Sequence, residues 1–268
     1  MQKISKNGLI FWVSLLISTY AFGVHISAPT IDLSRYEKKI YSQNGEDGIL
    51  KEIFEIIGSK SKYYVEFGVE TGKECNTRYL RKKYGWQGLM MDGNHQKPSI
   101  NLKKEFITPE NINQLFEHHN VPFDFDLLCI DIDYNDFYVW NAISDRYHPR
   151  VVVIEYNASH LPNEDKVVKY NPVAVWDGSN YYGASILAYY LLGQKKGYSL
   201  VYADNCGVNL FFIRNDVLNK SPVTFKDINN VNQLYKPPRY GKDPNGGHCA
   251  DRFNREYLKA KDLLNIME

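Results

Sequence analysis

The stretch LLCIDIDYND, Leu127 to Asp136, places Asp131, Asp133 and Asp136 directly behind an apolar run that reads as a buried strand. Ionised carboxylates are costly to take out of water, so acids delivered together from a core strand need a reason. Either they cap the helix that follows, or the strand end faces a pocket that requires negative charge. Asp136 falls in the first turn of the next helix, where the helix dipole favours an acid. Asp133 admits both roles, and as a pocket residue it is the candidate general base for a hydroxyl proton. Asp131 is the candidate pocket acid, set against existing or developing positive charge. A divalent cation held by Asp131, Asp133 and Glu155 or Asn157 is a third reading, since hard cations select oxygen ligands.

The elements that must carry these residues alternate. YSQNGEDGILKEIFEIIGSK reads as a turn and then a helix, with Ile49, Ile53, Phe54, Ile56 and Ile57 on one face and Gly58 at its end. Strands follow at Lys62 to Val69, Gly88 to Gly93, Lys104 to Ile107, Phe125 to Ile132 and Arg150 to Asn157. Between them lie helices at Lys73 to Tyr84, after Thr108-Pro109-Glu110, and from Asn135 to Ser144. Gly183 to Lys196 is a further helix, and YSLVYADNCGVNLFFIRND reads as two strands around a tight turn at Asp204 to Gly207. Five alternating units and a hairpin predict an α/β fold: a Rossmann-like three-layer sandwich with a mostly parallel seven-stranded sheet and an antiparallel edge strand. Residues 25–215 form this domain, and residues 216–268 read as a C-terminal appendage.

In open α/β sheets, ligands bind at the carboxyl ends of the strands. The first strand here ends in Glu66, Gly68 and Gly72, the second in Asp92, the fifth in Glu155 and Asn157. Glycines after the first strand allow a sharp turn beside a ligand, and an acid ending the second can accept hydrogen bonds from ribose hydroxyls. The spacing is not G-x-G-x-x-G. It also falls one residue short of a phosphate-binding P-loop, with Glu74 where a hydroxyl should stand. Glu66 and Glu70 would repel phosphate. An E-x-G-x-x-x-G loop rimmed by acids instead fits a cationic nucleoside such as S-adenosylmethionine.

The segments SQNGEDG, VEFGVETGKECNT, LLCIDIDYNDFYVWNAI, VVVIEYN and YYGASILAYYLLGQKKGYSLV, in this order, resemble the FkbM-like branch of class I S-adenosylmethionine-dependent methyltransferases. The likeness runs from about Tyr41 to Asn215. It implies that Glu66, Gly68 and Gly72 form the loop under the methionine part, that Asp92 holds the ribose, and that Asp131 faces the sulfonium. It also implies O-methyl transfer to a sugar or small hydroxylated acceptor. Members of this branch usually carry glycine where this chain has Tyr134, and a ring there would narrow the entrance to the pocket. Trp176, Tyr181 and Tyr182, in VWDGSNYYGAS, are candidates for stacking on a small-molecule or glycan acceptor, or for packing their loop against the sheet.

Composition excludes other classes. A net charge of +1 leaves no electrostatic footprint for nucleic acid. Four cysteines are too few for a disulfide framework in 268 residues, although Cys206 and Cys249 are a candidate pair after export. GHCAD, Gly247 to Asp251, sets one histidine beside one cysteine and lacks metal-site spacing. His118, His119, His148 and His160 are expected at the surface. Residues 1–24 place Lys3 and Lys6 ahead of an apolar run from Leu9 to Val24, the layout of a signal peptide or a membrane anchor. Such a segment engages the membrane or export machinery, and the domain is then secreted, periplasmic or anchored. Export conflicts with a cytoplasmic cofactor. The rival expectation is therefore an exported, catalytically inactive module that keeps the fold and binds glycan or another partner.

Overall fold

A computed structural model describes residues 28–266; the expected signal peptide or anchor lies outside the described residues. Seven strands form one sheet: β1 Tyr63–Phe67, β2 Gln87–Asp92, β3 Leu102–Lys104, β4 Leu127–Ile130, β5 Val151–Glu155, β6 Tyr198–Ala203 and β7 Asn209–Arg214. Their order is β3-β2-β1-β4-β5-β7-β6. β1 to β5 run parallel, and β7 pairs antiparallel with both β5 and β6. Five helices cover the two faces: α1 Glu46–Ile57, α2 Arg78–Tyr84, α3 Ile112–His118, α4 Asp136–Ala142 and α5 Ile186–Lys195.

The strands are apolar throughout because both faces are buried. Val65, Phe67, Leu128, Ile130, Val152 and Ile154 pack with residues of α3, α4 and α5, Trp140 and Tyr189 among them. The alternate positions Tyr64, Leu127, Cys129, Val151 and Val153 pack with Ile49, Ile53 and Phe54 of α1 and Leu80 of α2. This two-sided partition is the three-layer sandwich expected from the sequence.

Three expectations are corrected. The antiparallel strand is not at the edge: β7 lies between β5 and β6, its residues 209–213 all buried. A turn at residues 204–208 folds β7 back into the slot beside β5, where its apolar LFFI run is buried on both faces. β3 begins at Leu102 rather than Lys104, because the short turn Pro98–Ile100 closes at Asn101 (φ 55) and leaves Leu102 opposite Met90. α2 begins at Arg78 rather than Lys73, since the backbone amides of Asn76 and Thr77 are turned toward the Glu66 carboxylate.

The segment expected as an appendage returns to the domain. Thr224–Phe225 pairs with Thr30–Ile31, and Tyr257–Leu258 pairs with Val167–Val168. Leu234, Ala260 and Leu264 join the main core. Among the described residues, no helix is long and apolar enough to cross a membrane.

Candidate functional site

The chain leaves β1 through Gly68, whose φ of 64° is readily adopted only by glycine. Its amide donates to the Met91 carbonyl at 3.0 Å. A Cβ at Gly68 would stand 1.5 Å from the Asp131 carbonyl oxygen, so the loop after β1 presses directly on the end of β4. Gly72 (φ 70°) closes the same turn by donating to Val69 at 2.7 Å, and its own Cβ would meet Ile100. Gly72 is buried beneath the loop and off both cavity walls.

Two cavities share Gly68. The larger, about 240 Å³, is lined by Asp92, Phe106, Ile132, Asp133 and Trp176. The smaller, about 30 Å³, is lined by Glu46, Glu66, Asn76, Asp131 and Asn209. Asp131 and Asp133, two residues apart, thus look onto different cavities. Asp133 takes a left-handed backbone, φ 67°, as the chain turns from β4 toward α4.

Asp92 ends β2 on the wall of the larger cavity. Its Oδ1 accepts from the amides of Asn94 (2.8 Å) and His95 (2.9 Å) and meets His95 Nδ1 at 2.9 Å, while Oδ2 accepts from the Glu70 amide at 2.8 Å. Burial works to raise its pKa, but these hydrogen bonds outweigh it and hold the carboxyl below its ordinary value. One oxygen, Oδ2, retains acceptor capacity toward the cavity. Glu66 is the acid of the smaller cavity. It accepts from the Asn76 amide at 2.6 Å, the Thr77 amide at 3.2 Å and the Thr77 hydroxyl. Burial raises its pKa despite those bonds.

Asp131, Asp133 and Glu155 bring carboxylate oxygens within 4.8 Å of one another. Burial, then the charges of Asp133, Asp136 and Glu66, push Asp131 well above the ordinary carboxylate range. Glu155 is pushed up in the same way, by burial and then by Asp131 and Asp136, and Asp133 by burial and then by Glu70 and Asp92. The Oε2 of Glu155 is buried without a hydrogen-bond partner. These are the oxygens a hard cation would take. Asn157, the fourth metal candidate, is not among them. It is fully buried, and its amide donates to the carbonyls of Asn180 (2.7 Å) and Tyr182 (3.0 Å). Asp136, expected as a helix-dipole acid, is wholly buried and accepts from the Ile132 amide at 2.7 Å, bracing the β4–α4 turn.

Of the aromatic candidates, only Trp176 lines the larger cavity. Tyr181 and Tyr182 are each 2% exposed. Tyr181 donates to the Glu256 carbonyl at 2.8 Å, and the Tyr182 hydroxyl meets that of Tyr240 at 2.5 Å. These two rings hold the loop to the sheet and to the C-terminal segment rather than offer a stacking face. Tyr134 is also buried, tilted against Tyr181 at 6.0 Å, so it forms cavity wall and does not fill the space.

Several neighbours carry no mark in the sequence. Phe106 and Ile132 supply apolar wall, and nothing in their spacing marks them. His248 stacks edge-on with Trp176 at 4.4 Å and Tyr182 at 5.7 Å, delivered from the segment after β7. His160, expected at the surface, is 4% exposed against Tyr257, and burial holds its pKa down to about 4. Cys206 and Cys249 are both free, so the expected candidate disulfide is not present.

The chain matches no family model and no curated protein. Among solved structures similar to it is that of the mitomycin 7-O-methyltransferase MmcR, with a TM-score of 0.31 and 14% identity. The similarity covers 62% of this chain and 54% of that one, so the chain spans about half the length of the structure it matches.

Proposed function

We propose that this protein is an S-adenosylmethionine-dependent O-methyltransferase acting on a sugar or small hydroxylated acceptor. The observation that carries the reading is Gly68: a single glycine turn borders both a nucleoside-sized cavity ending in Asp92 and an acid-lined pocket behind Asp131. The residues fit a cationic nucleoside. Asp92 Oδ2, which accepts only from the Glu70 amide, retains capacity to accept from ribose, Phe106 and Ile132 offer apolar surface to a base, and carboxylates surround the place for positive charge. Neither cavity wall carries a lysine or arginine, so a phosphate ligand finds no cationic side chain there.

Bound in this way, S-adenosylmethionine supplies a methyl group that passes to the acceptor oxygen as the sulfur–carbon bond breaks, leaving S-adenosylhomocysteine. Asp133, on the cavity wall and partly open to water, takes the acceptor's hydroxyl proton. Asp131, behind the Gly68 turn, is the acid that would complement the sulfonium charge. Trp176 and the loop around it cover the acceptor side, and alignment of the two reactants supplies much of the rate. A divalent cation on Asp131, Asp133 and Glu155 is the second way to activate that oxygen, favoured by the unpartnered Glu155 Oε2.

Calorimetric titration of the full chain with S-adenosylhomocysteine tests the reading: binding is expected, and Asp92→Ala abolishes it. Absence of heat from a well-folded protein supports the rival, an exported inactive module that binds glycan. Titration with Mg²⁺ or Mn²⁺ decides the second route, since binding lost in Glu155→Gln supports it and silence removes it. The N-terminal segment is proposed to export or anchor the domain.

A further inference from the structure

A third cavity, an open groove of about 510 Å³, lies across Tyr134 from the site. Tyr134 lines both the groove and the larger cavity, and it is the one residue that the two have in common. Beside it, the side-chain amide of Asn135, from the wall of the larger cavity, donates at 2.7 Å to the carbonyl of Asn171, from the wall of the groove. The partition is therefore one residue wide at Tyr134, and the Asn135–Asn171 bond holds it in place.

The groove is built differently from the cavity it adjoins. The larger cavity carries Asp92, Glu105 and Asp133 and no lysine or arginine. The groove carries Lys169, Arg255 and Glu256, and both cations are answered locally. Lys169 pairs with Glu256 at 2.8 Å, and Arg255 pairs with Asp177 at 2.7 Å and Asp251 at 3.0 Å. An anionic ligand finds no unpaired cation here, whereas a neutral ligand rich in hydroxyls finds both donors and acceptors.

Its polar groups are held in place and partly unused. Arg255 Nε and Nη2 are taken by Asp251, Asp177 and Ser179, and the guanidinium lies 4.1 Å over the Tyr181 ring. Nη1 is fixed by these contacts and has no hydrogen-bond partner among the described residues. Asn171 accepts from the Val173 amide through Oδ1, and its side-chain nitrogen is left over, as is the whole Asn254 amide. Tyr170 donates to both Glu110 oxygens at 2.7 Å and leans on Tyr138 at 5.2 Å, so its half-buried ring is clamped in the groove wall beside Pro172. A fixed aromatic face next to planar hydrogen-bonding groups complements a sugar ring, apolar on its C–H face and hydroxylated around its rim.

We propose that this groove takes the second sugar residue of an oligosaccharide acceptor whose first residue presents its hydroxyl to Asp133. The inference rests on the sugar-acceptor reading and adds the minimum length of the glycan. The acceptor crosses the ridge at Tyr134, so the side chain there sets where the glycosidic link passes. Tyr170 stacks on the second ring, and Arg255 Nη1, Asn171 and Asn254 take its hydroxyls. A free monosaccharide fills only the first place and forgoes these contacts.

An array of immobilised glycans, one to four residues long and probed with the full chain, tests this. The wild type should bind at least one glycan of two or more residues about tenfold more tightly than its component monosaccharides, the effect of one or two added hydrogen bonds. Tyr170→Ala and Asn254→Gly should each erase most of that ratio and leave monosaccharide binding unchanged. Glycine keeps the left-handed backbone at position 254, where φ is 48°. Circular dichroism checks the fold of each variant, and either one suffices if the other does not fold. Equal affinity for single residues and longer glycans overturns the proposal. So does the absence of any bound glycan, and methyl transfer to a hydroxylated acceptor that is not a sugar then leaves the methyltransferase reading standing. Variants that weaken monosaccharides and longer glycans alike make the groove the sole sugar site and also overturn it. Length-dependent glycan binding by a chain that does not bind S-adenosylhomocysteine keeps the groove and removes the cofactor reading instead.

Discussion

The Asp131 carbonyl oxygen occupies the position that a side chain on Gly68 would need, 1.5 Å from its ideal Cβ. The loop that borders both cavities is therefore locked to the strand that carries the acids, and neither can move without the other. Gly68→Ala adds a left-handed backbone penalty to a direct backbone clash. We predict a loss of more than about 3 kcal/mol of stability together with loss of S-adenosylhomocysteine binding. Chemical denaturation alongside calorimetry checks both. A stable variant with unchanged affinity would remove Gly68 from the site.

Asp133 is assigned the proton. Asn tolerates a left-handed φ, so Asp133→Asn keeps the turn while removing the base. The rate of methyl transfer should fall by roughly 10²- to 10⁴-fold, with S-adenosylhomocysteine affinity retained. In the wild type, burial and neighbouring acids raise the pKa of Asp133, so its conjugate base forms only above the usual carboxylate range. The pH–rate profile should accordingly climb with pH through an apparent pKa that belongs to the coupled cluster rather than to one residue. A flat profile between pH 5 and 8 would count against an acid–base role.

Stability should run the other way with pH. Burial pushes Asp136 and Asp204 up to about 7, the second helped by the nearby charge of Glu46. In the unfolded chain each titrates near ~4, so the native state holds more protons across that window. The stabilisation is whole below pH ~4 and is lost as pH rises through 7. His160, held neutral by burial down to about 4, opposes this only below its unfolded value of about 6.5. Between pH 6 and 8 the carboxylates dominate, and the thermal midpoint should drop by several degrees, about 1 kcal/mol per group. Differential scanning calorimetry at constant ionic strength measures it, and Asp136→Asn should shrink the drop.

Arg255 ties the loop around Trp176 to the C-terminal segment. It bonds to Asp251 at 3.0 Å and Asp177 at 2.7 Å and lies 4.1 Å over the Tyr181 ring. Arg255 and Asp177 remain partly open to water, so Arg255→Ala should cost little global stability. Its effect should be local: faster proteolysis within residues 171–182 and a raised KM for the acceptor, with cofactor affinity unaltered. A change in cofactor affinity instead would place Arg255 in a different role.

Much of the fold was legible because burial on both faces writes itself into strands as unbroken apolar runs, as in VVVIE and LLCI. The strand-end residues Asp92, Asp131 and Asp133 were legible for a related reason, since polar residues interrupting such runs mark where a strand leaves the core. The position of β7 was not: its sequence says buried strand, but which neighbour it pairs with depends on the turn at 204–208 and the slot beside β5. Tyr181 and Tyr182 left two readings open because an aromatic ring reads alike whether it stacks on a ligand or closes a loop. Their partners, Glu256 and Tyr240, lie dozens of residues away.

Local periodicity and turn chemistry, which act over a few residues, were enough to specify an α/β sheet with glycines and acids at one rim. Tertiary structure alone determined that Asp131 and Asp133 would look onto different cavities, and that Glu155 would join them while Asn157 would not. Each of those outcomes is set by the register and order of strands distant in the chain, where a shift of one residue exchanges the two faces of the sheet.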